Sequence, residues 1–259
     1  MEYRKQKQII VGLVSLTVML GAVFLFVQLV GDNISYAPPQ DQKDDIPDEA
    51  AFIDPDVIFA EFFKIGGRNI YDAVAYIKNS NTEYGASSIV YEFDFLGKGG
   101  EVLRKVSGET FILPNESKYI IESGIEMPTI PESSSAQSMN FSIREVNWQR
   151  LAAFSPASLN IDNTDFKRED SVSANRFSGV VNNTSSYNLK NVEVHVVLYK
   201  LDKPVAAGRT DMQDLLRGTA RAFQIMWPYA LPQGVDIDAR AESNFFKNSN
   251  FIRDYAASS

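Results

Sequence analysis

Residues 174 to 200, ANRFSGVVNNTSSYNLKNVEVHVVLYK, have a recognisable internal copy about a hundred positions upstream, AVAYIKNSNTEYGASSIVYEFDFLGKGGEV. Both read as strand, polar turn, strand. In the downstream copy Phe177, Val180 and Val181 lead into Asn182-Asn183-Thr184-Ser185-Ser186, a cluster that bends backbone readily. Val192, Val194, Val196 and Leu198 then alternate with Glu193, His195, Val197 and Tyr199, the period-two signature of a half-buried strand. Aligning Ile89-Tyr91-Phe93-Phe95 with Val192-Val194-Val196-Leu198 carries Val102 onto Val205 and sets Asn79 near Asn183, with a one-residue slip in the turn. A duplicated β module of this kind predicts two all-β bodies in tandem.

The first module, residues 56–150, is expected to hold strands at Val57 to Ile65, Ile70 to Lys78, Ile89 to Leu96, Glu101 to Val106, Lys118 to Ser123 and Asn140 to Trp148. Gly97-Lys98-Gly99-Gly100 is its hairpin turn, and the Ser-rich interval Glu132 to Ser138 is its long crossover. The second module, residues 151–244, repeats the order at Ala157 to Asp162, Arg176 to Val181, Asn191 to Leu201, Pro204 to Thr210, Ala220 to Trp227 and Val235 to Ala241, with a turn of helix expected at Met212 to Arg217. Turn signals every 8 to 12 residues or so, with little 3.6-residue periodicity, indicate antiparallel sandwiches. Phe245, Phe246 and Phe251 lie in a carboxy-terminal tail, 245–259.

Ahead of the modules, residues 9–30 are 22 positions without a charge, roughly 33 Å as a helix and enough to cross a hydrocarbon core. Arg4, Lys5 and Lys7 in the tail 1–8 precede the run, and acidic residues follow it, so the positive-inside rule places the amino terminus in the cytoplasm and the rest outside. An uncleaved signal anchor fits better than a cleaved peptide, whose apolar region is usually shorter and for which Ser35-Tyr36-Ala37 followed by Pro38-Pro39 is a poor cleavage context. Thr17 and Gly21 form one small-xxx-small pair, weak grounds for helix pairing. Residues 31–55, acidic and punctuated by Pro38, Pro39, Pro47 and Pro55, read as an extended stalk.

Chemistry is sparse. The chain has no cysteine, which removes disulfides, thiolate metal sites and cysteine nucleophiles together. A net charge of -8, with no basic cluster beyond the first seven residues, argues against nucleic acid as partner. His195 is the only histidine, and the alternation that sends Val194 and Val196 inward predicts it on the solvent face beside Glu193. Asp162, Asp165, Glu169 and Asp170, and Asp236 with Asp238, raise the question of calcium, yet acidic residues more commonly keep a β surface soluble. Trp148 and Trp227 are either buried anchors or binding platforms, the anchor being the commoner role. Asn33, Asn115, Asn140, Asn182 and Asn183 fit the N-glycosylation tripeptide, meaningful only in a secretory pathway. No catalytic, cofactor-binding or metal-ligating residue is assigned on these grounds.

The run Gly179-Val180-Val181-Asn182-Asn183, then Asn191-Val192-Glu193-Val194, Val197-Leu198-Tyr199-Lys200 and the Arg217-Gly218-Thr219 turn before Phe223, resembles the FxLYD-type β-sandwich domain, akin to late-embryogenesis-abundant type-two and immunoglobulin-like sandwiches. The resemblance covers about 80 residues of the second module; Leu198-Tyr199-Lys200, with Asp202 two positions on, stands where the family has Leu-Tyr-Asp. The first module resembles the family more loosely, through Tyr76-Ile77-Lys78-Asn79 and Tyr91 to Leu96. The resemblance implies the sandwich fold in an exported or tethered protein without shared catalytic residues. With the repeat and residues 9–30, the fold expected is two tandem immunoglobulin-like domains behind one transmembrane helix. The function expected is non-enzymatic: a single-pass envelope protein held in the bilayer by residues 9–30, whose extracytoplasmic sandwiches contact an envelope protein. The alternative is a module binding cell-wall glycan or calcium for an associated transporter or enzyme.

Overall fold

The computed structural model describes residues 52–65, 69–128, 135–151, 158–168 and 175–252, all within one compact unit, Asp41–Ser259. The expected span at 9–30, its basic flank and residues 31–51 of the linker lie outside the described residues. So do Glu169 and Asp170.

The described chain is all β, in four three-stranded antiparallel sheets. The first copy supplies β1 (Asp56–Ile65), β2 (Ile70–Lys78), β3 (Tyr84–Leu96), β4 (Val102–Ile112), β5 (Ser117–Glu126) and β6 (Ser138–Arg150). They form one sheet in the order β1-β2-β5 and another in the order β4-β3-β6. The second copy, β7 (Leu159–Lys167), β8 (Asn175–Asn183), β9 (Leu189–Lys200), β10 (Lys203–Leu215), β11 (Ala220–Trp227) and β12 (Asp236–Glu242), repeats that topology strand for strand as β11-β8-β7 and β10-β9-β12.

The repeat extends to single hydrogen bonds. Asn79, at the end of β2, donates through Nδ2 to the carbonyls of Tyr84 (2.8 Å) and Leu113 (2.9 Å) and accepts the amide of Asn81. Asn183, at the end of β8, donates to the carbonyls of Tyr187 (2.8 Å) and Leu215 (3.0 Å) and accepts the amide of Ser185. The equivalent carbonyl falls five residues on in one copy and four in the other, which is the slip seen in the sequence. Both side chains are buried, and an asparagine suits the place because its amide carries donors and an acceptor together.

In each copy the two sheets lie face to face. Tyr71, Ala73, Ala75 and Ile77 of β2 pack with Ile89, Tyr91, Phe93 and Phe95 of β3. Phe177 and Val181 of β8, with Phe223, Ile225 and Trp227 of β11, pack with Val192, Val194, Val196 and Leu198 of β9. Each large aromatic removed from water in this way contributes about 2–3 kcal/mol before the entropy of ordering it.

Several strands run further than the residue pattern suggests, β3, β5 and β7 by three to five residues and β4 and β10 by more. β4 continues to Ile112 through Gly108, where a Cβ would lie 2.2 Å from the Tyr91 hydroxyl, so glycine there admits a ring rather than ending a strand. β10 continues to Leu215, with Met212 opposite Val192 and Leu215 opposite Leu189. The helical turn expected at Met212 to Arg217 is therefore overturned, because burial of Met212 and Leu215 outweighs local propensity. The tail packs: Phe245 and Phe251 meet Tyr187 and each other in edge-on or tilted contacts, and Phe251 bridges to Leu189.

A third apolar cluster joins the copies. Val74, Tyr119 and Ile121, on the outer face of β1-β2-β5, bury against Val197 and Ala207 of β10-β9-β12. β10 touches β5, β2 and β1 alike, so one copy's sheet lies across the other's.

Candidate functional site

The face of β9 that the alternation assigns to solvent is covered. Val194 and Val196 do point into the second copy's core, and His195 does point the other way, but there it meets the first copy and is only 3% exposed. Its expected exposure is thus corrected: the neighbouring module takes the place of water. His195 Nδ1 lies 2.7 Å from Glu242 Oε1 of β12, and its Nε2 lies 3.8 Å from Glu193 Oε2. From the other copy, Lys118 of β5 brings Nζ to 2.8 Å from Glu242 and 3.4 Å from Glu193, with the Phe111 ring centroid 3.6 Å away.

Burial alone would lower the Lys118 pKa, yet the Glu242 and Glu193 carboxylates outweigh it and raise the value. Burial alone would raise that of Glu242, yet Lys118 and His195 hold its carboxyl below the usual range. Both groups are therefore charged at neutral pH, each stabilising the other. Glu116, nearby and just before β5, is pushed up to about 7 by burial and then by the Glu242 charge, although it accepts the amide of Leu113 at 2.8 Å.

A second polar cluster lies along the same interface. Tyr119 donates to Asp238 (2.6 Å) and shares a hydrogen bond with Tyr199 (2.8 Å). Arg240 clamps Asp238 through Nε and Nη2, donates to the carbonyl of Ser117 at 3.1 Å, and lies 5.1 Å from the Tyr76 and Tyr119 ring centroids. Burial opposes ionisation of Asp238, but Arg240 and Tyr119 leave its pKa lowered. Elsewhere, Tyr229 of the second copy donates to Asp72 of the first at 3.2 Å, and Gly124 donates its amide to the other carboxylate oxygen at 2.9 Å.

Glu193, His195 and Glu242 have the composition of a metal site, their ligand atoms falling within 4.8 Å of one another. The positive charge that two facing carboxylates require is already there as the Lys118 ammonium, and a divalent cation would have to displace it. A cavity of about 200 Å³ adjoins the cluster, walled by Lys118, Glu193 and His195 with Glu109, Arg209 and Lys247. Its charges are mixed and nearly balanced.

The remaining candidates disperse. Asp162 and Asp165 lie on the exposed face of β7, where Asp162 accepts from Asn182 at 2.7 Å and Asp165 lies 3.8 Å from Lys167. Asp236 is exposed, and Asp238 belongs to the Arg240 clamp. Trp227 is a buried anchor whose indole donates to the Ala207 carbonyl at 2.8 Å. Trp148 is half-buried, with the Phe52 ring stacked on it at 5.5 Å and 10°, beside a shallow hollow lined by Pro55 and Val146. Asn183 is consumed in its turn, so a glycan there is incompatible with this fold.

Neither Lys118 nor Glu242 stands out in the sequence. The available signal is indirect: the run Val196-Val197-Leu198 is apolar on both faces of its strand, as is Tyr119-Ile120-Ile121, and such strands are covered on both sides. No protein-family model matches the chain, and no curated protein sequence is significantly similar to it. Fold and site together define a duplicated all-β protein whose two copies meet through buried charge.

Proposed function

We propose that this chain is a non-enzymatic, membrane-tethered envelope protein: residues 9–30 cross the bilayer, 31–55 act as a stalk, and two immunoglobulin-like sandwiches of FxLYD type stand outside the membrane and bind an envelope protein. One observation carries the reading. The chemistry-bearing side chains of the interface, Lys118, Glu193, His195, Glu242, Tyr119 and Asp238, face one another across the two copies, an arrangement suited to fixing a rigid body rather than to meeting a substrate. The tethered topology rests on the uncharged run and its basic flank. A rigid double sandwich with free sheet edges suits recognition by strand addition. The shielding of Trp227, and the ring of Phe52 over Trp148, favour protein contact over glycan stacking, which needs an open aromatic face.

The test is crosslinking in intact cells combined with protease shaving. The reading expects recovery of an envelope protein and loss of the carboxy-terminal half before lysis. A carboxy-terminal half untouched until lysis would refute the topology. A version lacking residues 1 to 31 that proved unfolded or helical by circular dichroism would refute the fold assignment.

A further inference from the structure

The hairpin between β9 and β10 turns on Leu201 and Asp202, both left-handed, at φ 50 and 60, with Lys200 and Lys203 paired at its neck. A two-residue turn of this kind favours glycine, which has no Cβ, and asparagine or aspartate, whose short polar side chains hydrogen-bond locally, and it strains an aliphatic side chain. Leu201 is also 85% exposed, so it contributes nothing to the core. A leucine that strains its own turn and packs against nothing gains only from something outside the fold.

The tip is not isolated. Tyr199, two residues before it, meets the ring of Phe59 at 6.4 Å, and just ahead of Phe59 on β1 stand Val57 and Ile58, 45% and 54% exposed. Ile53, 57% exposed, is held at the same end by paired hydrogen bonds to Asn81, in the turn after β2, whose last residue Lys78 pairs with Asp56. This is the end at which the chain arrives from the linker. Residues 31–51 separate it from the uncharged run, and the extended stalk expected there reaches at most roughly 65 Å.

We infer that this end, Ile53, Val57, Ile58 and the Leu201 tip with Lys200 and Lys203, is a lipid-contacting face that rests on the bilayer surface. The inference rests on the tethered reading above. Asp54, Asp56 and Asp202 stand among these residues beside Lys200 and Lys203, so charge does not draw the face to lipid; the exposed aliphatic groups enter the acyl region while the charged side chains of both signs stay among the headgroups. The tether keeps the face within reach of lipid, so a shallow and weak insertion is enough to orient the double sandwich.

The absence of cysteine makes the test direct. Full-length Leu201→Cys and, at the far end of the same strand pair, Leu216→Cys are labelled with an environment-sensitive fluorophore. Each is reconstituted into phosphatidylcholine vesicles containing a minority of phosphatidylglycerol and a lipid carrying a shallow nitroxide. The expected result is roughly twofold quenching at position 201 and little at 216. Equal quenching at the two positions overturns the lipid face. So does a blue shift at 201 that disappears when protein is diluted at constant lipid, which assigns the tip to a second copy. A chain that does not float with the vesicles after a carbonate wash refutes the tether, and this face with it; a floating chain with an unquenched label at 201 refutes the lipid face alone.

Discussion

Replacing Lys118 by methionine removes the ammonium that faces Glu242 and Glu193 from the opposite copy. At separations of 2.8 and 3.4 Å the pairwise attractions are about 6 and 5 kcal/mol for an effective dielectric of 20. Most of that is offset by the cost of desolvating three charges, and the net loss on leaving the buried Glu242 carboxylate with His195 but without its ammonium is about 3–5 kcal/mol. The sign with pH follows from Glu242. Its carboxyl is held below the usual range in the fold, so its stabilisation is present above the unfolded pKa and lost as pH falls through the folded one. Without Lys118 the burial that opposes its charge is less compensated, so Lys118→Met should be most damaging near pH 7 and milder near pH 4. Adding Glu242→Met removes the orphaned charge and should restore most of the lost stability. Urea unfolding at both pH values, followed by tryptophan fluorescence, measures the cycle. A single variant costing less than about 1 kcal/mol at pH 7, or a double variant as unstable as the sum of the two singles, would refute the buried lock.

Glu116, raised to about 7, behaves oppositely: the fold favours its protonated form, so its stabilisation is complete below the unfolded value and is lost as pH rises towards 7. Glu116→Gln should therefore gain about 1–3 kcal/mol over the parent at pH 8 and little at pH 4, read by urea midpoints. Asn79→Ala and Asn183→Ala each strand two buried carbonyls, and should each cost about 2–4 kcal/mol; a large inequality would contradict their equivalence in the repeat. Leu201→Asn with Asp202→Gly relieves the left-handed turn and should stabilise by about 1 kcal/mol in the same assay.

The strand order and the core faces were legible because sandwich cores write themselves as period two: Ile89-Tyr91-Phe93-Phe95 and Val192-Val194-Val196-Leu198 are buried as expected. The duplicated asparagine was legible too, its slip included. What the alternation conceals is the difference between a face that meets water and one that meets a second sheet. His195 obeys its period and is buried nonetheless, because Val197 and Tyr199 beside it make that face apolar enough to dock. Lys118 is harder to anticipate, since it lies on β5 and its partners come from β9 and β12, more than seventy residues away in sequence. The extension of β10 eluded the pattern for a related reason: Met212 and Leu215 gain from neighbours on β9 that no local window contains.

The central claim is that the two copies form one body, locked by buried charge. Biosynthetic 5-fluorotryptophan labelling places one ¹⁹F probe in each copy, at Trp148 and Trp227. In a urea titration of the full chain in mild detergent, the account expects the two folded resonances to disappear together, with a single midpoint. Separate midpoints, with one copy still folded while the other has melted, would contradict it.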